Sequence, residues 1–102
     1  MPSFRAVLKI TGLRPGNKPE AVMATALAAM GSIHLVEANS LDVVAGVPVI
    51  TVRFLVEASS TDDENQHAAA AAAAMQSAVD EVAVTGRLTT LRRERGKWLF
   101  VS

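Results

Sequence analysis

The chain has 102 residues, half of them hydrophobic, and its ten basic and ten acidic residues give a formal net charge of zero. This length suits a single domain, and the hydrophobic content excludes general disorder. The absence of cysteine excludes disulfides, thiolate catalysis and cysteine-ligated metal centres, and the neutral charge gives no global steering toward nucleic acid or anionic membranes.

The first predicted element is a strand over residues 4–10, because its apolar and polar residues alternate. One face of this strand would carry Phe4, Ala6, Leu8 and Ile10 toward the core. The opposite face would carry Arg5, Val7 and Lys9.

A helix is predicted next, with Asn17 as its N-cap, Pro19 in its first turn and Glu20 closing a variant of the capping box. Apolar residues continue at helical spacing as far as Met30, and Gly31 is a typical C-terminal stop.

Two strands and a tight turn are predicted after this helix. The first strand covers residues 32–38, with a continuation toward Val44 left open, and the turn is placed at Ala45–Gly46. The second strand, residues 47–57, is rich in β-branched residues. Its two faces would carry Ile50, Val52, Phe54 and Val56 on one side and Thr51, Arg53, Leu55 and Glu57 on the other.

The second helix has the strongest start signal in the sequence, a capping box formed by Thr61 and Glu64 within an acidic cluster. An alanine run over residues 68–74 follows, and alanine has the highest helix propensity.

The C-terminal residues 87–101 are strand-like but are interrupted by Arg95–Gly96. Either one long strand has a glycine bulge there, or a hairpin pairs residues 88–93 with residues 97–101. The hairpin is favoured because apolar residues flank the polar turn on both sides.

The resulting βαββαβ order resembles the ferredoxin-like α+β sandwich over the whole chain, residues 1–102. The resemblance implies a four-stranded antiparallel sheet with two helices on one face, and an extra C-terminal strand is left open. This fold hosts many unrelated functions, so the resemblance itself assigns none.

The sheet face opposite the helices is the first candidate binding site. An uncovered face that mixes aliphatic and charged residues favours association with a second subunit, or a ligand pocket between subunits. A solvated antiparallel face is the alternative. The residues concerned are Arg5, Val7, Lys9, Thr51, Arg53 and Leu55.

A basic C-terminal segment is the second candidate site, for phosphate, nucleic acid or an acidic partner. Alternation sends Arg92 and Arg93 to opposite faces, and Glu94 interrupts the run, which favours a solvated hairpin tip instead. The residues of the segment are Arg87, Arg92, Arg93, Arg95, Lys97 and Trp98.

No catalytic, metal or cofactor site is predicted. His34 and His67 are the only histidines, and a pair of His34 with Glu37 or Asp42 would support at most a small enzyme, which we rank last. An RNA-recognition motif is excluded, because Phe4 and Phe54 fall on the core face of their strands.

We therefore expect a non-enzymatic binding or assembly module that forms a homo-oligomer through the open sheet face. Binding of phosphate ligands or nucleic acid by the basic segment is the alternative. The N-terminus lacks the features of a signal peptide and no apolar run is long enough to span a bilayer, so we expect a cytoplasmic protein.

Overall fold

Residues 1–101, which the computed structural model describes, form a small α+β domain built on one antiparallel sheet. The elements are β1 (Ser3–Leu13), α1 (Pro19–Gly31), β2 (Leu35–Val44), β3 (Val47–Leu55), α2 (Thr61–Val79), β4 (Ala83–Glu94) and β5 (Lys97–Phe100). The strand order across the sheet is β2-β3-β1-β4-β5. The described sheet thus has five strands, whereas the prediction was four with an extra C-terminal strand left open.

The fifth strand belongs to a C-terminal hairpin, which confirms the favoured interpretation of this segment. Arg95 and Gly96 form a two-residue turn with φ angles of 49° and 80°, and β4 pairs with β5 from Glu94↔Lys97 onward. Ala45 and Gly46 connect β2 and β3 in the same way, with φ angles of 51° and 80°. Positive φ at both turn residues matches the twist of the flanking strands, which fixes the register of both hairpins.

The hydrophobic core follows the strand alternation that the sequence predicts. Its β1 face holds the fully buried Phe4, Ala6 and Leu8. The stacked rings of Phe4 and Phe54, with centroids 6.0 Å apart, join β1 to β3. Both helices contribute to this single cluster through residues at helical spacing, namely Val22, Ala26, Met30, Ala68, Ala71, Ala72, Met75 and Val79.

The start of α1 differs from the prediction. Lys18 is the N-cap residue and its side chain makes no capping hydrogen bond. Asn17 donates instead to the carbonyl oxygens of Arg14 and Pro15, each at 3.3 Å. Because Asn17 is used to close the preceding turn, Pro19 with its preset φ begins the helix without a side-chain cap.

The capping box of α2 is shifted by one residue. Ser60, not Thr61, is the N-cap, and its hydroxyl accepts a hydrogen bond from the Asp63 amide at 3.2 Å. The Glu64 carboxylate reaches back to accept from the Ser59 amide at 2.8 Å. The predicted N-cap, Thr61, lies one residue too late. Serine and threonine are both favoured at an N-cap, so the sequence does not separate Ser60 from Thr61.

Strand boundaries also differ from the prediction, most clearly at the start of β2 and the end of β3. β2 begins at Leu35 and not at residue 32, because Ser32 is the C-cap of α1 and its amide donates to the Ala28 carbonyl at 3.1 Å. β3 ends at Leu55 and not at residue 57. The Val56 amide donates to the Pro2 carbonyl at 3.0 Å, so Val56 stays buried beyond the end of the strand.

Candidate functional site

The sheet face opposite the core gathers the six residues of the first candidate site. Cross-strand pairing places Arg5 opposite Arg53 and Val7 opposite Thr51. All but Lys9 of the six are half-buried, and Lys9 is exposed. We call this surface the open face; Leu91 and Trp98 of the C-terminal hairpin also lie on it, as the register below establishes.

Trp98 joins the two candidate sites into one. The two-residue turn pairs Arg93 directly with Trp98, and Leu91 two residues earlier pairs with Phe100 and also with Arg5 of β1. Trp98 consequently projects from the open face. Its ring centroid lies 4.1 Å from Cζ of Arg5 and 5.3 Å from Cζ of both Arg53 and Arg93. These distances are within cation–π range.

The three guanidinium groups differ in their other partners. Nε of Arg53 donates to Ser3 Oγ at 2.9 Å and to Glu37 Oε1 at 3.2 Å, while its terminal nitrogens have no acceptor within residues 1–101. Over the same residues, Arg5 and Arg93 make neither a hydrogen bond nor an ion pair through their side chains. The cluster therefore holds donors that the described chain leaves without an acceptor.

A polar cleft of about 370 Å³ adjoins this cluster on the open face. Its walls come from three neighbouring strands. Ser40 and Asp42 of β2 pair with Thr51 and Val49 of β3, and Thr51 pairs in turn with Val7 of β1. Its lining residues are Arg5, Ala38, Asn39, Ser40, Asp42, Thr51 and Arg53.

Arg92 lies on the opposite side of the sheet from Trp98. Its guanidinium contacts Glu64 Oε1 at 2.8 Å, Asn65 Oδ1 at 3.0 Å and Glu94 Oε2 at 3.0 Å. The hydrogen bond from the Ser59 amide, followed by that from Arg92, lowers the pKa of Glu64 from its ordinary value of 4.5. This ion pair ties β4 to α2. It separates Arg92 from the rest of the basic segment, whose Arg87, Arg95 and Lys97 are exposed.

The two histidines line a different cleft, of about 560 Å³, at the end of the sheet near Met1. The His34 ring stacks on Phe54 with centroids 5.7 Å apart, and its Nε2 is buried without a hydrogen-bond partner in the described chain. Burial is the main cause that lowers the pKa of His34 from 6.5. Glu57 and His67 line the same cleft.

The acid–base pairs considered for His34 are not formed. Glu37 is bonded to Ser3 and Arg53, and Asp42 lies in the polar cleft. Residues 1–101 contain no group of three or more histidine, aspartate or glutamate residues placed to hold a metal ion. In the same described range, neither helix is long and apolar enough to cross a membrane.

The contact of Trp98 with Arg5 was missed at the sequence level, although a signal for it exists. A two-residue turn at Arg95–Gly96 requires Arg93 and Trp98 to lie opposite each other, and therefore on one face. Nothing in the local sequence places this hairpin beside β1, because that neighbour is set by long-range pairing. The roles of Ser3 and Glu37 depend on the same long-range pairing.

Comparisons with known proteins add no further constraint. The chain matches no protein-family model, and no significant match to it was found among curated proteins or solved structures.

Proposed function

We propose that this chain is a non-enzymatic binding and assembly module that associates with a second copy of itself through the open face. The observation that carries the proposal is the apolar surface there, which no other described element covers. Val7, Leu55 and Leu91 are half-buried on its three inner strands. At its two edges, Leu35 is 63% exposed and Phe100 is 76% exposed. Uncovered apolar groups of this kind favour burial against a partner.

The distribution of charge supports a second copy as the partner. The acidic residues Glu37 and Asp42 lie on β2, at one side of the open face, while Arg93 lies on β4 toward the other side. A two-fold axis that runs along the strands between two facing sheets brings the β2 side of one copy over the β4–β5 side of its partner. The acidic groups at the β2 edge then face Arg93 of the other copy twice, so the edges of the surface are complementary.

We also propose the specific fold type and the cellular location that are expected from the sequence. We assign the domain to the ferredoxin-like sandwich, with β5 as an addition at one edge. The βαββαβ order of the first six elements supports this assignment. A cytoplasmic location is consistent with the absence of cysteine.

Native mass spectrometry of the purified chain tests the proposal. We expect a species of twice the 10.7 kDa chain mass or a higher multiple, persisting at micromolar concentration. A chain that remains monomeric at every concentration contradicts self-association. The same spectrum reports any small molecule that is retained on the assembly.

Binding of phosphate ligands or nucleic acid by the basic segment is the second candidate function. The position of Trp98 beside Arg93 favours it, because an arginine and an aromatic ring together suit such ligands. Arg92, held by Glu64, takes no part. Retention of single-stranded RNA that weakens steeply with salt supports this function, and no retention at low salt contradicts it.

A further inference from the structure

We infer that the polar cleft between β1, β2 and β3 binds the phosphate group of a small molecule. The cleft lies on the open face that the proposed self-association uses, but the binding does not require a second copy. Its volume of about 370 Å³ is within the range of small-molecule sites.

The guanidinium groups of Arg5 and Arg53 supply the positive charge. Arg53 donates its hydrogen bonds through Nε, so its two terminal nitrogens have no acceptor within residues 1–101. Those of Arg5 are equally without an acceptor there. Planar guanidinium groups with free donors match the oxygens of a phosphate or carboxylate group.

Trp98 holds these guanidinium groups in place. Contacts of 4.1 Å with Arg5 and 5.3 Å with Arg53 restrict two long side chains that would otherwise be mobile. Because one ring serves both, the loss of side-chain entropy on binding an anion is reduced. In this cleft the ring contacts arginine, so we assign it a positioning role.

The number of donors favours phosphate over carboxylate. Besides the two arginines, Ser40 and Thr51 line the cleft, and each carries a hydroxyl group that can donate a hydrogen bond. A phosphate monoester offers three terminal oxygens to these donors, whereas a carboxylate offers two. Asp42 is the one carboxylate among the described lining residues, and it repels an anion bound beside it.

Titration with inorganic phosphate tests the inference, with total ionic strength held constant by sodium chloride. Trp98 is the only tryptophan of the chain, so its emission reports directly on the cluster. We expect a saturable change with phosphate, no change with chloride and a weaker one with acetate. Arg5→Gln should weaken binding about tenfold, as the loss of charge-assisted hydrogen bonds predicts.

Three further variants separate binding from structural damage. Arg95→Gln removes the same charge from the exposed hairpin turn and should leave binding nearly unchanged. Ser40→Ala on the exposed edge strand should weaken binding without loss of folding. Asp42→Asn should strengthen binding, which a damaged fold would not do.

Equal effects of phosphate and chloride overturn the inference, as does equal weakening by Arg95→Gln and Arg5→Gln. Acetate that binds as tightly as phosphate overturns the choice of ligand. Sedimentation of the same samples gives the oligomeric state separately. A monomer that binds phosphate contradicts only the proposed self-association, and an oligomer that does not bind it contradicts only the cleft.

Discussion

Trp98 shows how one aromatic side chain organises a charged surface. Three arginines of like charge would repel one another if they were free in solvent. The electron-rich ring attracts each of them instead, at 4.1 to 5.3 Å from its centroid. Only Arg53 also has a carboxylate partner among the described residues, at 3.2 Å.

His34 makes the folding stability depend on pH near neutrality. Burial lowers its pKa from 6.5, so the unfolded state binds a proton more readily than the folded state. Stability is therefore full above about pH 6.5 and falls as the pH drops through this value toward the lower folded pKa. We expect His34→Phe, which keeps the stacking on Phe54, to remove this fall.

Urea denaturation at pH 7.5 and pH 5.5 measures the effect. His67→Gln is the matched control, because His67 lines the same cleft but is exposed. If His67→Gln abolishes the fall and His34→Phe leaves it intact, the assignment to His34 is wrong.

Glu64 gives a second pH dependence at lower pH. The Ser59 amide and Arg92 lower its pKa from 4.5, so its stabilising contribution is full above about pH 4.5 and is lost as the pH falls through the folded pKa. Glu64→Gln should lower stability at neutral pH, because the half-buried Arg92 loses the carboxylate of the buried Glu64.

This variant should also flatten the acid-induced loss of stability. Thermal denaturation between pH 3 and pH 7 provides the measurement, with Asp62→Asn as an exposed control in the same helical turn. An acid profile identical to that of the unmodified chain would show that Glu64 is not the group responsible.

At the scale of the elements, the N-cap of α2 contributes to the stability of the fold. Ser60→Ala removes the side-chain acceptor of the Asp63 amide and should cost about 1 kcal/mol of stability. Thr61→Ala, at the position that the sequence alone favours, should change stability by less than about 0.5 kcal/mol, as is usual for exposed positions without such a contact.

Equilibrium urea unfolding of both variants separates the two assignments. A larger loss in Thr61→Ala than in Ser60→Ala would restore the cap predicted from the sequence and contradict the one described.

Local chemistry explains which elements were predictable. Alternation identified the buried faces of β1 and β3, including Phe4 and Phe54, because a half-buried strand imposes a period of two. Both two-residue turns were recognisable from a glycine at their second position. Boundaries were less predictable, since Ser60 and Thr61 compete for one cap, and Asn17 serves the preceding turn.

The candidate site was only partly predictable for a different reason. Alternation placed Arg5, Val7, Thr51 and Arg53 on one face correctly. Trp98 reaches this face because β4 lies beside β1, and that strand order is set by long-range pairing. Likewise, the pairing of Arg92 with Glu64 joins residues 28 positions apart and has no local signature.

At the scale of the whole molecule, the helices cover one face of the sheet and the described chain leaves the other uncovered. Val7 lies in the middle of this open face, between Thr51 on β3 and Thr89 on β4. A lysine at this position would add positive charge beside the arginine cluster and would place a strongly hydrated group in the interface.

Sedimentation equilibrium of the native chain beside Val7→Lys and Ala73→Lys is the most direct test of self-association through the open face. Ala73 is exposed on α2, so its substitution introduces the same charge on the opposite side of the domain. We expect the native chain and Ala73→Lys to sediment as oligomers and Val7→Lys as a folded monomer of 10.7 kDa. An oligomer that Ala73→Lys disrupts and Val7→Lys preserves, or a native chain that is monomeric throughout, would contradict it.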